Sequence, residues 1–310
     1  MSEPWVYLNG EWLPQSRAAI PLHDAGFVMG VTVTDLIRTF NRKLYRWPDH
    51  LARFRESCEL ACLHVKATDA ELTERAKELA ERNSALLGDG GELCLTIFAT
   101  PGPIGYLRGD SPSGFVGPMT LGMQTFPLPF SRYSEMVGQG AVLAVPRRVQ
   151  VPEDCVPPGI KQRSRMHWWL ADIEAAKKHA HAKALLLNER GHVTETAIAN
   201  FLIVRGDTVT SPRRATILPG VSLKIVEELC GRAGLNFKER DLTLDECLAA
   251  DEAMLSGTAF SLAGVRELES RAYPFPGPKL RVLLNLWSRQ VGVDVHASFR
   301  EPSAANTRRS

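Results

Sequence analysis

Apolar positions along the chain follow two periods, and the changes of period mark the predicted elements. Val6-Tyr7-Leu8 and Glu11-Trp12-Leu13 flank Asn9-Gly10, a pattern that predicts a tight hairpin. A glycine-punctuated stretch from Pro21 to Gly30 leads into residues 31–40, rich in Val, Thr and Ile and predicted as a strand. Asn41-Arg42-Lys43 turns it and Leu44-Tyr45-Arg46 returns. From Pro48 the period becomes helical: Leu51, Phe54, Cys58, Leu60, Ala61 and Leu63 share one face, with Asp49 in the first turn. Thr68, with Glu71 three residues later, predicts a capping box and a helix over 68–87. Residues 92–100 and 117–125 read as strands. Between them lies the Gly- and Pro-rich stretch 101–113, an irregular loop of a length that is often functional.

The composition changes at Phe126 to Met136, and the domain boundary is placed there: an N-terminal domain over 1–130 and a C-terminal domain over 131–299. Residues 141–150 are strand-like and 164–181 helical. Short strands are predicted at 184–188, 193–195, 200–204, 208–211, 252–256 and 263–268. Helices are predicted at 220–231, 242–249 and 279–291. The polar tail over 300–310 is expected to be disordered.

Composition narrows the class. The 310 residues suffice for one large domain or two ordinary ones. With 44% hydrophobic and 23% charged residues the chain reads as a soluble protein, and a net charge of +2 gives no field that would attract nucleic acid or an anionic membrane. No apolar run approaches a membrane span, and no basic segment followed by an apolar one opens the chain, so a cytoplasmic protein is expected. The six cysteines form no CxxC pair and no cluster with histidine, which predicts reduced, structural thiols and no metal.

The candidate chemistry centres on two residues. Lys161 follows the irregular approach Pro157-Pro158-Gly159-Ile160 and precedes a helix. Arg163 and Arg165 stand close by, and their like charge would lower an ammonium pKa, as a Schiff-base lysine requires. Glu195, in Val193-Thr194-Glu195-Thr196, is a carboxylate between apolar strands and needs a partner: an arginine, or the protonated pyridine nitrogen of a cofactor. Asn200 either positions it or satisfies backbone groups in the turn. Two glycine-hydroxyl pairs, Gly220-Val221-Ser222 at a helix start and Gly257-Thr258 after a strand, are ordinary caps singly and together could cradle a phosphate. Arg53, on a helix with apolar neighbours, would close over that phosphate or pair with Glu56 or Glu59. No Walker or Rossmann glycine motif occurs.

In this order the motifs resemble the class IV, fold type IV, pyridoxal-phosphate aminotransferases. That family holds branched-chain aminotransferases, D-amino-acid aminotransferases and 4-amino-4-deoxychorismate lyases. The resemblance runs from Val6 to about Val265. It rests on VYLNGEW, Asp24 to Phe27, His50 to Phe54, Lys161, Glu195 with Asn200-Phe201, Ile217 to Ser222, Ala250 to Glu252 and Ser256 to Ala259. It implies an α+β fold: a small N-terminal α/β domain and a larger C-terminal domain with a β-barrel-like core. It implies pyridoxal 5'-phosphate as cofactor, with Lys161 forming the Schiff base and moving the proton. Glu195 would hold the pyridine nitrogen. Arg53, Gly220, Val221, Ser222, Gly257 and Thr258 would hold the phosphate. It also implies a homodimer, in which the 101–113 loop completes the partner's pocket.

The substrate side departs from the better-known members. Thr34, not an aromatic residue, precedes Asp35. The strand carrying Phe98, Leu95 to Thr100, lacks the arginine of D-amino-acid enzymes. Met166 stands where branched-chain enzymes place a tyrosine. Arg163 or Arg165 would then bind the substrate carboxylate, unless both are helix-start or interface charges. Thr34, Phe98 and Ala259 complete the candidate substrate residues. Val31, Val33, Phe98 and Met166 favour a hydrophobic, branched-chain-type L-amino acid, with its amino group passed to a 2-oxo acid in a ping-pong reaction. The alternatives are the lyase, which the Ser164-Arg165-Met166 stretch favours, and the D-amino-acid aminotransferase.

Overall fold

The computed structural model describes residues 3–109, 114 and 118–300. Residues 110–113, residue 117 and the tail from 301, on which three of the expectations above fall, lie outside the described residues. The chain divides into two compact units, one formed by residues 1–128 with 159–164 and the other by 129–158 with 165–310. The first unit thus takes in the Lys161 segment, which a division at residue 130 would leave to the second. The reason is backbone pairing: the Thr34 N–H donates to Lys161 O (2.8 Å) and the Arg163 N–H to Thr32 O (2.9 Å).

The first unit is a six-stranded antiparallel sheet covered by helices. It comprises β1 (Trp5–Leu8), β2 (Glu11–Pro14), α1 (Ala25–Val28), β3 (Val33–Phe40), β4 (Lys43–Leu44), α2 (Trp47–Leu60), α3 (Asp69–Ser84), β5 (Leu93–Thr100), α4 (Gly105–Arg108) and β6 (Thr120–Pro127), with strand order β2-β1-β6-β5-β3-β4. Asn9 and Gly10 turn the β1–β2 hairpin with φ of 52° and 95°, the left-handed conformation that an Asn-Gly pair tolerates. The Thr68–Glu71 capping box forms as expected at the start of α3. The apolar face of α2 (Leu51, Phe54, Cys58) and that of α3 (Leu72, Ala76, Leu79) pack on Val33, Ile37, Leu95, Ile97 and Met123 of the sheet. Burying each of the Val, Leu, Ile, Phe and Met side chains among them contributes about 1.5–3 kcal/mol.

The second unit contains α5 (Phe130–Gln139), β7 (Ala141–Ala144), α6 (Met166–Lys178), β8 (Lys183–Leu187), β9 (Val193–Thr196), β10 (Asn200–Arg205), β11 (Thr208–Ser211), α7 (Val221–Ala233), β12 (Asn236–Glu239), α8 (Leu244–Leu248), β13 (Glu252–Gly257), β14 (Ser261–Leu268), β15 (Arg271–Ala272), α9 (Pro278–Val291) and α10 (Ala297–Arg300). Six of its strands close a ring, β10-β13-β14-β7-β8-β9 and back to β10, while β11 and β12 extend outward from β10. This is the β-barrel core expected of the C-terminal part. The stretch expected to link the domains is ordered: β6 runs on to Pro127 and α5 begins at Phe130. The strand predicted over 141–150 stops at Ala144, because Pro146 has no N–H to donate to a ladder. Among the described residues no helix is long and apolar enough to cross a membrane.

Candidate active site

In the second unit the barrel register aligns three polar side chains. Asn200 of β10 stands opposite Glu195 of β9 on one side and Ser256 of β13 on the other. Directly opposed residues share a face, so a carboxylate, an amide and a hydroxyl form one row. All three are buried. Glu195 Oε1 accepts the Leu218 N–H (3.0 Å) and Oε2 accepts Asn200 Nδ2 (3.1 Å), while the same Asn200 amide donates to Leu218 O (2.9 Å). Of the two readings of Asn200 both therefore hold: it orients the carboxylate and it satisfies the turn. The turn from Glu195 to Asn200 is itself tied by Thr196, whose hydroxyl donates to Ala199 O and accepts the Ala199 N–H.

Leu218-Pro219-Gly220 leads from this row into α7. A Cβ on Gly220 would lie 2.0 Å from Asn200 Oδ1, so only glycine lets the helix start there. No side chain caps α7, and Val221 and Ser222 in its first turn are buried. Helix-start N–H groups without a cap, in a buried place, need an external acceptor, and the helix dipole favours an anionic one. The buried Ser256 hydroxyl has no hydrogen-bond partner either. Gly257 and Thr258 follow it; a Cβ on Gly257 would press on Phe260 and on Ile198 O, at 2.8 and 3.0 Å. A shielded carboxylate beside an open helix start and an orphaned hydroxyl fits pyridoxal phosphate, which presents a basic ring nitrogen and a dianionic phosphate.

In the first unit Lys161 lies on a short segment paired antiparallel with the start of β3, with Gln162 bridged to Val33. Arg53 has a partner that neither of the ion pairs suggested by sequence includes. It grips Asp35 of β3 with Nε and Nη2, both at 2.8 Å, and His50 Nδ1 contacts the same carboxylate at 2.7 Å. The carboxylate can only accept, so the His50 proton sits on Nδ1. Burial by itself would push the Asp35 carboxyl up, but the Arg53 guanidinium and His50 outweigh it and hold it well below the usual carboxylate range. Burial pushes His50 down against the pull of Asp35, and the Arg53 and Lys161 charges add to the fall. The sequence reading missed Asp35 and His50 as site residues. A carboxylate in the apolar run Val33 to Ile37 was the available signal, since a buried charge needs a partner.

Asp35→Asn should cost roughly 3–5 kcal/mol of stability at neutral pH, because it leaves Arg53 buried without its counter-charge. The sign with pH follows from the depressed pKa. The contribution of Asp35 is complete above its unfolded value of about 4 and is lost as pH falls toward the lower folded value, so wild type and variant should converge in acid. Urea melts of both proteins at pH 7 and below pH 4 check this; a constant gap would show that Asp35 stays uncoupled from protonation.

The candidate substrate residues scatter more widely. Thr34 is buried, donates to Ile97 O (3.0 Å) and stands opposite Phe98. Phe98 is half-buried, and its ring lies across Gly122, where a Cβ would meet Cζ at 2.4 Å. Ala259 is buried in the β13–β14 turn. Arg163 is exposed and belongs to the first unit. Arg165 belongs to the second, where its guanidinium donates to Ala197 O and lies 5.7 Å from the Trp168 ring centre. Of the residues that suggested an apolar substrate, Val33 is spent in the core and Met166 is 70% exposed, so neither supports that choice.

Residues 32–268 match the model of the family described as amino-transferase class IV. The chain belongs to the class IV aminotransferases. Pyridoxal 5'-phosphate is the cofactor of this family. A D-alanine aminotransferase of Bacillus licheniformis is 27% identical over 288 residues, covering 88% of this chain and 92% of its own. A branched-chain-amino-acid aminotransferase of Salmonella typhimurium is 22% identical over 282 residues, covering 86% and 85%. The structure of a branched-chain aminotransferase from Thermoproteus uzoniensis, solved with norvaline, superposes with a TM-score of 0.81 at 24% identity over 93% of this chain and 94% of that one. The fold is therefore fold type IV, with helices packed about the two sheets.

Proposed function

We propose that this class IV aminotransferase carries the amino group of a hydrophobic, branched-chain-type L-amino acid to a 2-oxo acid in two half-reactions, with the cofactor held covalently by Lys161. The observation that carries the reading is the buried Glu195 carboxylate, each oxygen accepting a hydrogen bond, in line with an uncapped helix start. Hydrogen bonds donated to the charged form keep a carboxylate ionised, as a partner for a protonated ring nitrogen must be. When bound, pyridoxal phosphate with that nitrogen protonated withdraws electrons from the substrate Cα. The Val221 N–H and Ser222 hydroxyl at the α7 start, with Gly220, Gly257, Thr258 and Arg53, take the phosphate. The Lys161 amine would take the proton from the substrate Cα and pass it to C4′ of the cofactor. Arg163 or Arg165 takes the substrate carboxylate, and Thr34, Phe98 and Ala259 border the side chain.

Branched-chain specificity is supported by the named relative and by the absence of arginine from β5. The D-alanine aminotransferase among the relatives favours a second reading, a D-amino-acid donor. Mixing the loaded enzyme with L-leucine, L-glutamate or D-alanine, each without a 2-oxo acid, separates them by visible absorbance. Bleaching of the cofactor band by L-leucine and L-glutamate is expected. Bleaching by D-alanine alone would reverse the stereochemistry, and no bleaching by any would sink transamination.

The partner is a second copy of the chain. On α6, Met166, Trp169, Leu170 and Ile173 recur at i, i+3, i+4 and i+7 and are all exposed, Trp169 at 65%. Such an apolar stripe on a helix suits burial against another subunit. Trp169→Glu should cost on the order of 2 kcal/mol or more of association and convert dimer to monomer in sedimentation velocity. Cys58, Cys94, Cys230 and Cys247 are buried free thiols, which suits a reducing, cytoplasmic compartment.

A further inference from the structure

We propose that Ser57 is a positioning residue for Lys161, an inference that rests on the reading of Lys161 as the cofactor lysine. Ser57 is fully buried on α2, one helical turn beyond Arg53. Its hydroxyl donates to Gly159 O and accepts the Lys161 N–H, both at 3.2 Å. One side-chain atom thus clasps both ends of Gly159-Ile160-Lys161. On the far side, the Lys161 carbonyl accepts the Thr34 N–H at 2.8 Å. Both backbone polar groups of Lys161 are therefore engaged, one by α2 and one at the start of β3.

The segment between these anchors has little room. Ile160 packs against the core of the unit, and a Cβ on Gly159 would come within 3.2 Å of Leu60 Cδ1 on the same α2. Fixing the N–H and C=O of a residue fixes the direction of its Cα–Cβ bond. For lysine that direction sets the arc that a four-carbon stem can sweep, so a small rotation at Cα becomes a large displacement of the amine. Misplacing a reacting group by about 1 Å can cost on the order of a hundredfold in rate. Ser57 touches no reacting atom; it acts through the lysine. Because α2 also carries His50 and Arg53, the helix indexes the lysine against the guanidinium that grips Asp35. Nothing in the motif pattern singles out Ser57, since a serine in a helix has no sequence cue to a strand-edge partner more than a hundred residues away.

The test uses the full-length, cofactor-loaded protein with Ser57→Ala, Ser57→Thr and Ser57→Cys. Ser57→Ala should speed hydrogen exchange of the Lys161 amide about tenfold, the equivalent of one hydrogen bond. It should lower kcat for L-leucine about ten- to a hundredfold with KM nearly unchanged, and move the pH midpoint of the cofactor's visible band. Ser57→Thr, which keeps the hydroxyl, should restore all three. A variant that melts earlier but keeps wild-type exchange, kcat and band titration would reduce Ser57 to a packing residue and overturn the proposal. If the alanine variant does not fold, Ser57→Cys, nearly isosteric with a weaker donor, takes its place and is read the same way. Lys161→Ala is run beside them. If borohydride reduction still fixes the cofactor to that variant, the reading of Lys161 fails and the proposal goes with it. If Lys161→Ala loses the adduct while Ser57→Ala matches wild type throughout, the positioning role alone fails.

Discussion

Lys161→Ala is expected to lower kcat/KM for L-leucine by on the order of 10⁴-fold while leaving the fold in place. On the role proposed for Lys161, two separate functions leave with the ε-amine. One is the covalent link that holds the cofactor in register. The other is the general base for the Cα proton, a contribution worth roughly 10²–10⁴-fold by itself. The fold should survive because Lys161 is anchored by its main chain. Its N–H goes to Ser57 and its C=O to the Thr34 N–H, and alanine keeps both. The variant should therefore melt within about 1 kcal/mol of wild type, the range of ordinary substitutions outside the core. Steady-state rates, a thermal melt and mass spectrometry after borohydride reduction check the three parts together. Residual activity above about a tenth of wild type would show that some other amine or base does this work.

How much of this was legible in the sequence depends on the range of the interaction. Local chemistry was readable. The Asn9-Gly10 turn, the Thr68–Glu71 box and the helical face of Leu51, Phe54 and Cys58 follow from spacing within one element. Glu195 and Asn200 were readable as a pair because the two strands that carry them are joined by a short turn. What escaped was set by register between distant segments. That residues 159–164 pair with β3 depends on a strand more than a hundred residues earlier. The partner of Arg53 escaped for the same reason: the nearby Glu56 and Glu59 are its neighbours in sequence, but the buried Asp35 is its neighbour in space. Val33 and Met166 mark the opposite error. Apolar character alone does not distinguish a core residue from a pocket wall or an exposed helix face, and these two fell into the first and last of those classes.

Glu195→Gln carries the second large effect, and here geometry and chemistry make separate predictions. A carboxylate offers two acceptors, and both are used, by the Leu218 N–H and by Asn200 Nδ2. Glutamine has one. Whichever way its amide is turned, an N–H₂ group faces a donor. Asn200 cannot relieve the conflict by rotating its own amide, because its Nδ2 also donates to Leu218 O and a flip would set oxygen against oxygen. The mismatch should destabilise the protein by about 1–3 kcal/mol, the usual penalty for a buried polar group left unmatched. Catalysis should suffer more. On the role proposed for Glu195, a neutral amide would not keep a proton on the pyridine nitrogen, and kcat should fall by on the order of 10²–10³-fold. Glu195→Asp separates the two effects: it keeps the charge but draws it back by one methylene, away from Leu218, and should lose stability while retaining more of kcat than the glutamine variant. Thermal melts and kcat for both variants decide the matter. If Glu195→Gln melts early yet turns over like wild type, the carboxylate serves only to hold the Leu218 turn. If kcat collapses in the glutamine variant and is partly kept in the aspartate one, the charge is what the reaction uses, and the row of Glu195, Asn200 and Ser256 is the framework that keeps it buried, ionised and aimed.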